Sequence, residues 1–192
     1  MNEQPAGRRD ARGFSLIEVI VAMTILAVGL LGLAQAFVIG LNHLSTSSAN
    51  LIAREKAREA VESVHTARDT RVITWANIRN VNAVAETDPE WGACNSVGGG
   101  VFQNGVQPLT AAGPDGLINT ADDGAVEVVR TPGLDRVLGT ADDQVQPLDG
   151  FTREIQICDL NNDLREIRVT IRYTVGPLQR QYRLRTFVSS FS

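Results

Sequence analysis

The chain has 192 residues, 43% hydrophobic and 21% charged, which are ordinary values for a folded protein with room for one small domain beside a long helix. A formal net charge of −4 carries no general nucleic-acid signal, so no nucleic-acid partner is expected. There is no nucleophile elbow, no phosphate loop and no His/Cys metal spacing, so enzyme chemistry is not expected either.

Residues 1–13 hold Pro5, Gly7, Arg8, Arg9, Asp10 and Arg12, a polar segment expected to be unstructured. An apolar run follows from Phe14 to Ile39. Between Val19 and Leu33 it contains no charge and no proline, and its exceptions are Thr24, Gly29 and Gly32. A bilayer core of ~30 Å needs ~20 apolar residues, so this run is long enough to span one. The arginines precede it and uncharged polar residues follow it. The positive-inside rule therefore keeps the amino terminus in the cytoplasm and sends the rest outward. Glu18 is the anomaly. A carboxylate at membrane depth costs ~2.5–3.5 kcal/mol on insertion scales, so it calls for a partner.

The helical pattern continues beyond Gly40. Leu41, Leu44, Leu51, Ile52, Ala57, Ala60, Val61 and Val64 share one broad face, with charged residues mostly elsewhere. A single helix is expected from about Phe14 to about Thr66, roughly 80 Å long at 1.5 Å per residue. Its first half belongs in a membrane or an assembly core, and its second half offers a stripe for a globular domain to cover. His43 and His65 read as helix-surface residues.

Residues 72–84 are ambiguous between a short helix and a strand. Trp75 and Trp91 read as anchors of a small core. From Asp88 to Gly100 the sequence is loop-like. Cys94 and Cys158 both lie beyond the apolar run, so export would place them in an oxidising compartment and a disulfide is expected. The alternative is two unpaired buried thiols.

An internal repeat follows. Gly113-Pro114-Asp115-Gly116-Leu117-Ile118-Asn119-Thr120-Ala121-Asp122-Asp123 is echoed by Gly133-Leu134-Asp135-Arg136-Val137-Leu138-Gly139-Thr140-Ala141-Asp142-Asp143. Asp115, Asp122, Asp123, Asp135, Asp142 and Asp143 are the oxygen ligands a hard cation such as calcium prefers, although the spacing does not match an EF-hand. The competing reading is a pair of turns in which Asp and Thr side chains bond nearby backbone groups. Calcium is thus an optional cofactor, and none is required. Residues 125–129 read as a short strand joining the two turns.

The carboxy-terminal part is the clearest β region. Residues 151–158 alternate loosely. Ile167, Val169, Ile171, Tyr173 and Val175 alternate strictly with Arg168, Thr170, Arg172 and Thr174, and residues 179–188 follow suit. Breaks at Asn161-Asn162-Asp163 and Gly176-Pro177 have turn chemistry. This is an antiparallel meander with one apolar face, which the helix would cover. Arg168, Arg172, Arg183 and Arg185 read as its solvated face rather than as a cationic patch. The expected class is α+β, with a leader at 1–13, a long helix at 14–66 and a globular domain at 67–192. That domain holds the acidic repeat at 113–143 and the β-meander at 151–190.

Gly13, Phe14-Ser15-Leu16-Ile17-Glu18-Val19 and the apolar helix after them resemble the type IV prepilin family. Its signature is a short basic leader ending in Gly, then Phe, a few apolar residues, Glu and a long apolar helix. The resemblance implies that a prepilin peptidase cuts between Gly13 and Phe14 and that the new Phe14 amine is methylated. Glu18 would pair with the Phe14 amine of a neighbouring subunit. It implies a pilin-like fold, other pilin subunits as partners, an inner-membrane location with the carboxy-terminal domain in the periplasm, and then a pilus or pseudopilus. Residues 25–34 resemble the minor pilins of the PilV type, which initiate or modulate the filament. The helix lacks the mid-helix proline of many major pilins, and the acidic repeat matches no pilin motif. A type II secretion pseudopilin shares the same first half. A further alternative is an ordinary exported, calcium-stabilised periplasmic binding module, cut after Ala34-Gln35-Ala36 to start at Phe37.

Overall fold

The computed structural model describes residues 15–191, the side chains of 42–45 excepted. One long helix, α1 (Leu16–Asp69), is followed by a 3₁₀ turn at Trp75–Asn77 and eight strands. The strands are β1 (Val84–Asp88), β2 (Gly92–Ser96), β3 (Gln107–Pro108), β4 (Val128–Thr131), β5 (Gln144–Pro147), β6 (Phe151–Asn161), β7 (Leu164–Val175) and β8 (Leu178–Ser189). The architecture is α+β, a long amino-terminal helix followed by antiparallel strands. The chain divides into two compact units, residues 1–44 and residues 45–192.

In the second unit the main sheet has the order β3-β6-β7-β8. Its β6–β7 and β7–β8 pairs are antiparallel neighbours in sequence, with register Ile155↔Val169 and Val169↔Leu184. Gly176 turns the second hairpin at φ 57°, a left-handed conformation that suits a residue without Cβ.

One face of the sheet meets α1. The helix offers Ala53, Ala57, Ala60, Val64 and Ala67, all buried, at spacings of three and four residues. Nearly all are alanines, and Ile155, Ile157, Ile167, Val169 and Ile171 supply the bulk on the facing side. The expected stripe is corrected: Leu41 and Leu51 are exposed, and Ala53 joins the buried face. At the edge of this contact Asn50 Nδ2 donates to the Tyr173 hydroxyl at 3.1 Å.

The other face of the sheet is covered at its centre. The stretch read as loop from Asp88 to Gly100 holds most of a hairpin, β1 paired with β2 from Val84↔Ser96 to Asp88↔Gly92. Cys94 lies on β2 and is joined to Cys158 on β6, with Cα atoms 4.9 Å apart and both side chains buried beside Val84. A cross-link of this sequence separation, 64 residues, constrains the unfolded chain by about 4 kcal/mol in the entropic model. The expectation for residues 125–129 shifts along the chain. The strand is Val128–Thr131, and it pairs with Gln144–Pro147 to form a two-stranded ribbon that presents the second acidic repeat.

Candidate functional site

Helix α1 begins where Ser15 O accepts the backbone amides of Glu18 and Val19 at 3.0 and 3.2 Å. Glu18 stands in the first turn, where the helix dipole favours a carboxylate. It is exposed, and among the described residues no cation pairs with it. From Glu18 the helix meets no other Asp, Glu, Lys or Arg until Arg54. Thr24 satisfies its hydroxyl on the Ile20 carbonyl at 2.7 Å, so it adds no free polar group. Large apolar side chains from Leu16 to Leu41 are exposed all round, Ile25 at 69% for example. An 18-residue window is apolar enough, by length and composition, to cross a membrane, and none of it is buried. Burying a side chain of this kind stabilises by about 1.5–3 kcal/mol, so this surface is complete only inside a bilayer or against other helices. Gly13 and Phe14, the expected cleavage and methylation positions, lie outside the described residues.

The acidic repeat folds as two equivalent loops. In the first, Asp115 Oδ1 accepts Leu117 N at 2.9 Å, and Asp122 Oδ1 accepts the Thr120 hydroxyl at 2.8 Å. Asp123 accepts Thr110 Oγ1 at 2.7 Å, Asn119 N at 2.8 Å and Thr120 N at 3.0 Å. In the second, Asp135 Oδ1 accepts Val137 N at 2.8 Å, Asp142 Oδ1 accepts the Thr140 hydroxyl at 2.7 Å, and Asp143 Oδ2 accepts Gly139 N at 2.7 Å. The Thr140 hydroxyl, with the Asp135 amide, holds the Asp142 carboxyl below its usual range. A side chain at Gly113 would run into the Asp122 carboxylate at 2.6 Å, so the close approach demands glycine there. The six aspartates act chiefly as turn acceptors. Among the described residues no three His, Cys, Asp or Glu side chains converge on one point.

The sheet also carries charges that sequence patterning did not single out. Arg153 on β6 is wholly buried, and burial lowers its pKa. Its guanidinium lies 3.7 Å from Asp123 and 3.9 Å from Glu127, and Nη2 donates to Thr110 O at 3.3 Å. Lys56 on α1 pairs with Glu127 and, at 2.6 Å, with Glu59. Burial pulls the Lys56 ammonium down, but the two carboxylates outweigh it and its pKa is raised. This cluster ties the first loop, the sheet and the helix together.

The outward face is only in part the solvated row of arginines that alternation implied: Arg185 is exposed, whereas Arg168 and Arg183 are covered. Arg168 is 2% exposed. It pairs with Glu166 at 3.0 Å and donates to Trp91 O and Gly92 O at 2.9 and 3.0 Å. Arg183 bridges to Asp88 at 2.5 Å and Glu90 at 2.8 Å, and its guanidinium stacks 3.8 Å from the Trp91 ring centroid. Arg183 holds the Asp88 carboxyl well below the usual carboxylate range. Arg172 pairs with Glu154 at 2.7 Å, and Arg185 with Glu166. The β1–β2 hairpin covers this face, and pairing is what the burial of charge requires. Trp91 therefore belongs to this outer layer, whereas Trp75 packs against the main core with its Nε1 donating to Asn162 O at 3.0 Å.

Searches of curated proteins and of solved structures return no match to the chain. Residues 8–34 match the family model described as the prokaryotic N-terminal methylation motif. That interval contains Gly13, Phe14, Glu18 and the first half of the exposed apolar surface, so the front of this chain carries the N-terminal methylation motif typical of type IV prepilin-like proteins.

Proposed function

We propose that this protein is a filament subunit of the type IV pilin class, held in the inner membrane by the first part of α1 until it is assembled. A prepilin peptidase cuts between Gly13 and Phe14, and the Phe14 amine is methylated. The globular unit then stands outside the membrane, and its role is structural, without a catalytic step. The observation that carries this reading is the conjunction of one carboxylate, Glu18, with an otherwise charge-free and wholly exposed apolar helix face inside the matched motif. A lone buried charge is unfavourable, whereas an amine and a carboxylate desolvated together compensate each other strongly. Glu18 thereby sets the register of the helix against its neighbour.

Within the class we favour a minor pilin of the PilV type that initiates or modulates the filament, on the strength of residues 25–34. A pseudopilin of a type II secretion system uses the same front half and differs in the machine it joins. Substitution Glu18→Ala tests the pairing in cells that assemble the filament. Membrane insertion should be retained, and incorporation into the filament should fall by at least tenfold, as loss of a desolvated pair worth more than about 1.4 kcal/mol implies. Normal incorporation of the variant would remove the pairing role.

A further inference from the structure

Residues 113–123 and 133–143 are one motif written twice, and both copies take the same backbone path. Left-handed residues fall at matched positions, Gly116 and Arg136 at φ 74° and 59°, then Asn119 and Gly139 at φ 68° and 93°. Three bonds recur in both, from the residue two after the first Asp to its carboxylate, from the Thr hydroxyl to the second Asp, and from the residue before that Thr to the third Asp. Their surroundings do not match. In the first copy Leu117 and Ile118 are buried in the core, and Asp123 faces the buried Arg153 at 3.7 Å. In the second, Leu134 is 99% exposed and Leu138 60% exposed, with Val137 exposed between them. Among the described residues no Arg or Lys pairs with Asp135, Asp142 or Asp143, and the buried Asp143 Oδ1 has no hydrogen-bond partner. The β4–β5 ribbon that carries this copy is exposed at most of its positions. A lone two-stranded ribbon is marginal in water, so covering it is favourable.

We propose that the second loop is a preformed knob that docks on another copy of this chain with its carboxylates towards arginine. The receiving surface is the mainly polar recess of about 530 Å³ along β7 and β8, lined by Thr152, Arg172, Tyr173, Gln179 and Arg180 among others. Arg180 is exposed and has no carboxylate partner among the described residues, and the buried Nη1 of Arg172 has no hydrogen-bond partner. Three aspartates against one arginine on the knob meet Arg180, the recess arginine without a carboxylate partner, beside the Arg172–Glu154 pair, so the charges are complementary. The knob is already held rigid by its own hydrogen bonds, which lowers the entropy lost on docking. Knob and recess are different patches, so the contact is heterologous. The inference rests on the filament reading only for the place where two copies would meet.

The test uses purified full-length chain in detergent, where it is independent of processing at Gly13 and of Glu18. Both native cysteines form the disulfide, so engineered ones are the addressable thiols. A chain with Leu138→Cys is mixed with a tagged chain carrying Gln179→Cys and treated with a short bismaleimide. The 138–179 product should exceed the 138–138 product about tenfold. Arg180→Glu on the receiving chain should lower it about tenfold and Arg180→Lys should keep it, with the near-UV circular dichroism of each variant unchanged. Equal yields of the two products, or a yield indifferent to Arg180→Glu, overturns the proposal. A yield that EGTA abolishes and calcium restores, with Arg180→Glu silent, overturns it in favour of a cation site.

Discussion

Arg153 and Arg165 are the residues where sequence phase was informative and was read past. On β6, Arg153 is two residues before Ile155 and four before Ile157, so period-two geometry points all three the same way. Arg165 is likewise in phase with Ile167 and Val169 on β7, and it is 1% exposed, pairing with Asp159 at 2.8 Å under the ring of Trp75. A charge on a core face needs partners: Arg165 finds Asp159 opposite it on β6, whereas Arg153 finds Asp123 and Glu127 on a loop whose position alternation does not encode. The energetic consequence is testable. Arg153→Met leaves Asp123 and Glu127 nearly buried with less positive charge, so urea unfolding of the full chain in detergent should show a loss of about 3 kcal/mol. A loss under 1 kcal/mol would mean the cluster does not hold the first loop. Asp88 gives a pH prediction. Its pKa is depressed below the ordinary 3.8 by Arg183, so its contribution is fully present above pH 3.8 and is lost as pH falls towards the folded value. Asp88→Asn should therefore flatten the acid side of the melting-temperature profile below pH 4 and leave its slope near pH 7 unchanged.

At the scale of elements, the legible parts were those with long, strict periodicity. The helix and the pairs β6–β7 and β7–β8 carry the repeating apolar positions that set face and register in advance. The β1–β2 hairpin was not legible, because a five-residue strand such as Val84-Ala85-Glu86-Thr87-Asp88 buries only its first residue in a mostly exposed run. It is placed by the disulfide and by Arg168 and Arg183, all long-range contacts. The repeat was visible as a repeat, but which copy is buried was not. Leu117-Ile118 and Val137-Leu138 are equally apolar, and only the tertiary setting separates them. The loops are closed by their own side chain–backbone bonds, as Asx- and ST-type turns are. Melting of the full chain should therefore be the same in EGTA and in millimolar calcium. A rise in melting temperature with calcium would show that the aspartates bind the ion after all, by the linkage that stabilises any ligand-bound state.

The whole molecule has an exposed apolar helix segment and a globular unit with a buried core and a paired outer layer. The second holds its own core and disulfide. The first is stable only in company, and the matched motif at residues 8–34 supplies the reason for that company. Glu18 stands out in sequence because a carboxylate in a charge-free helix is conspicuous, whereas the proposed cut after Gly13 lies outside the described residues. The most direct measurement is the mass of the amino-terminal peptide of the mature protein isolated from the membrane of cells that make it. The account predicts a peptide beginning at N-methylated Phe14. A peptide beginning at Phe37, or one that retains Met1 through Gly13, would contradict it.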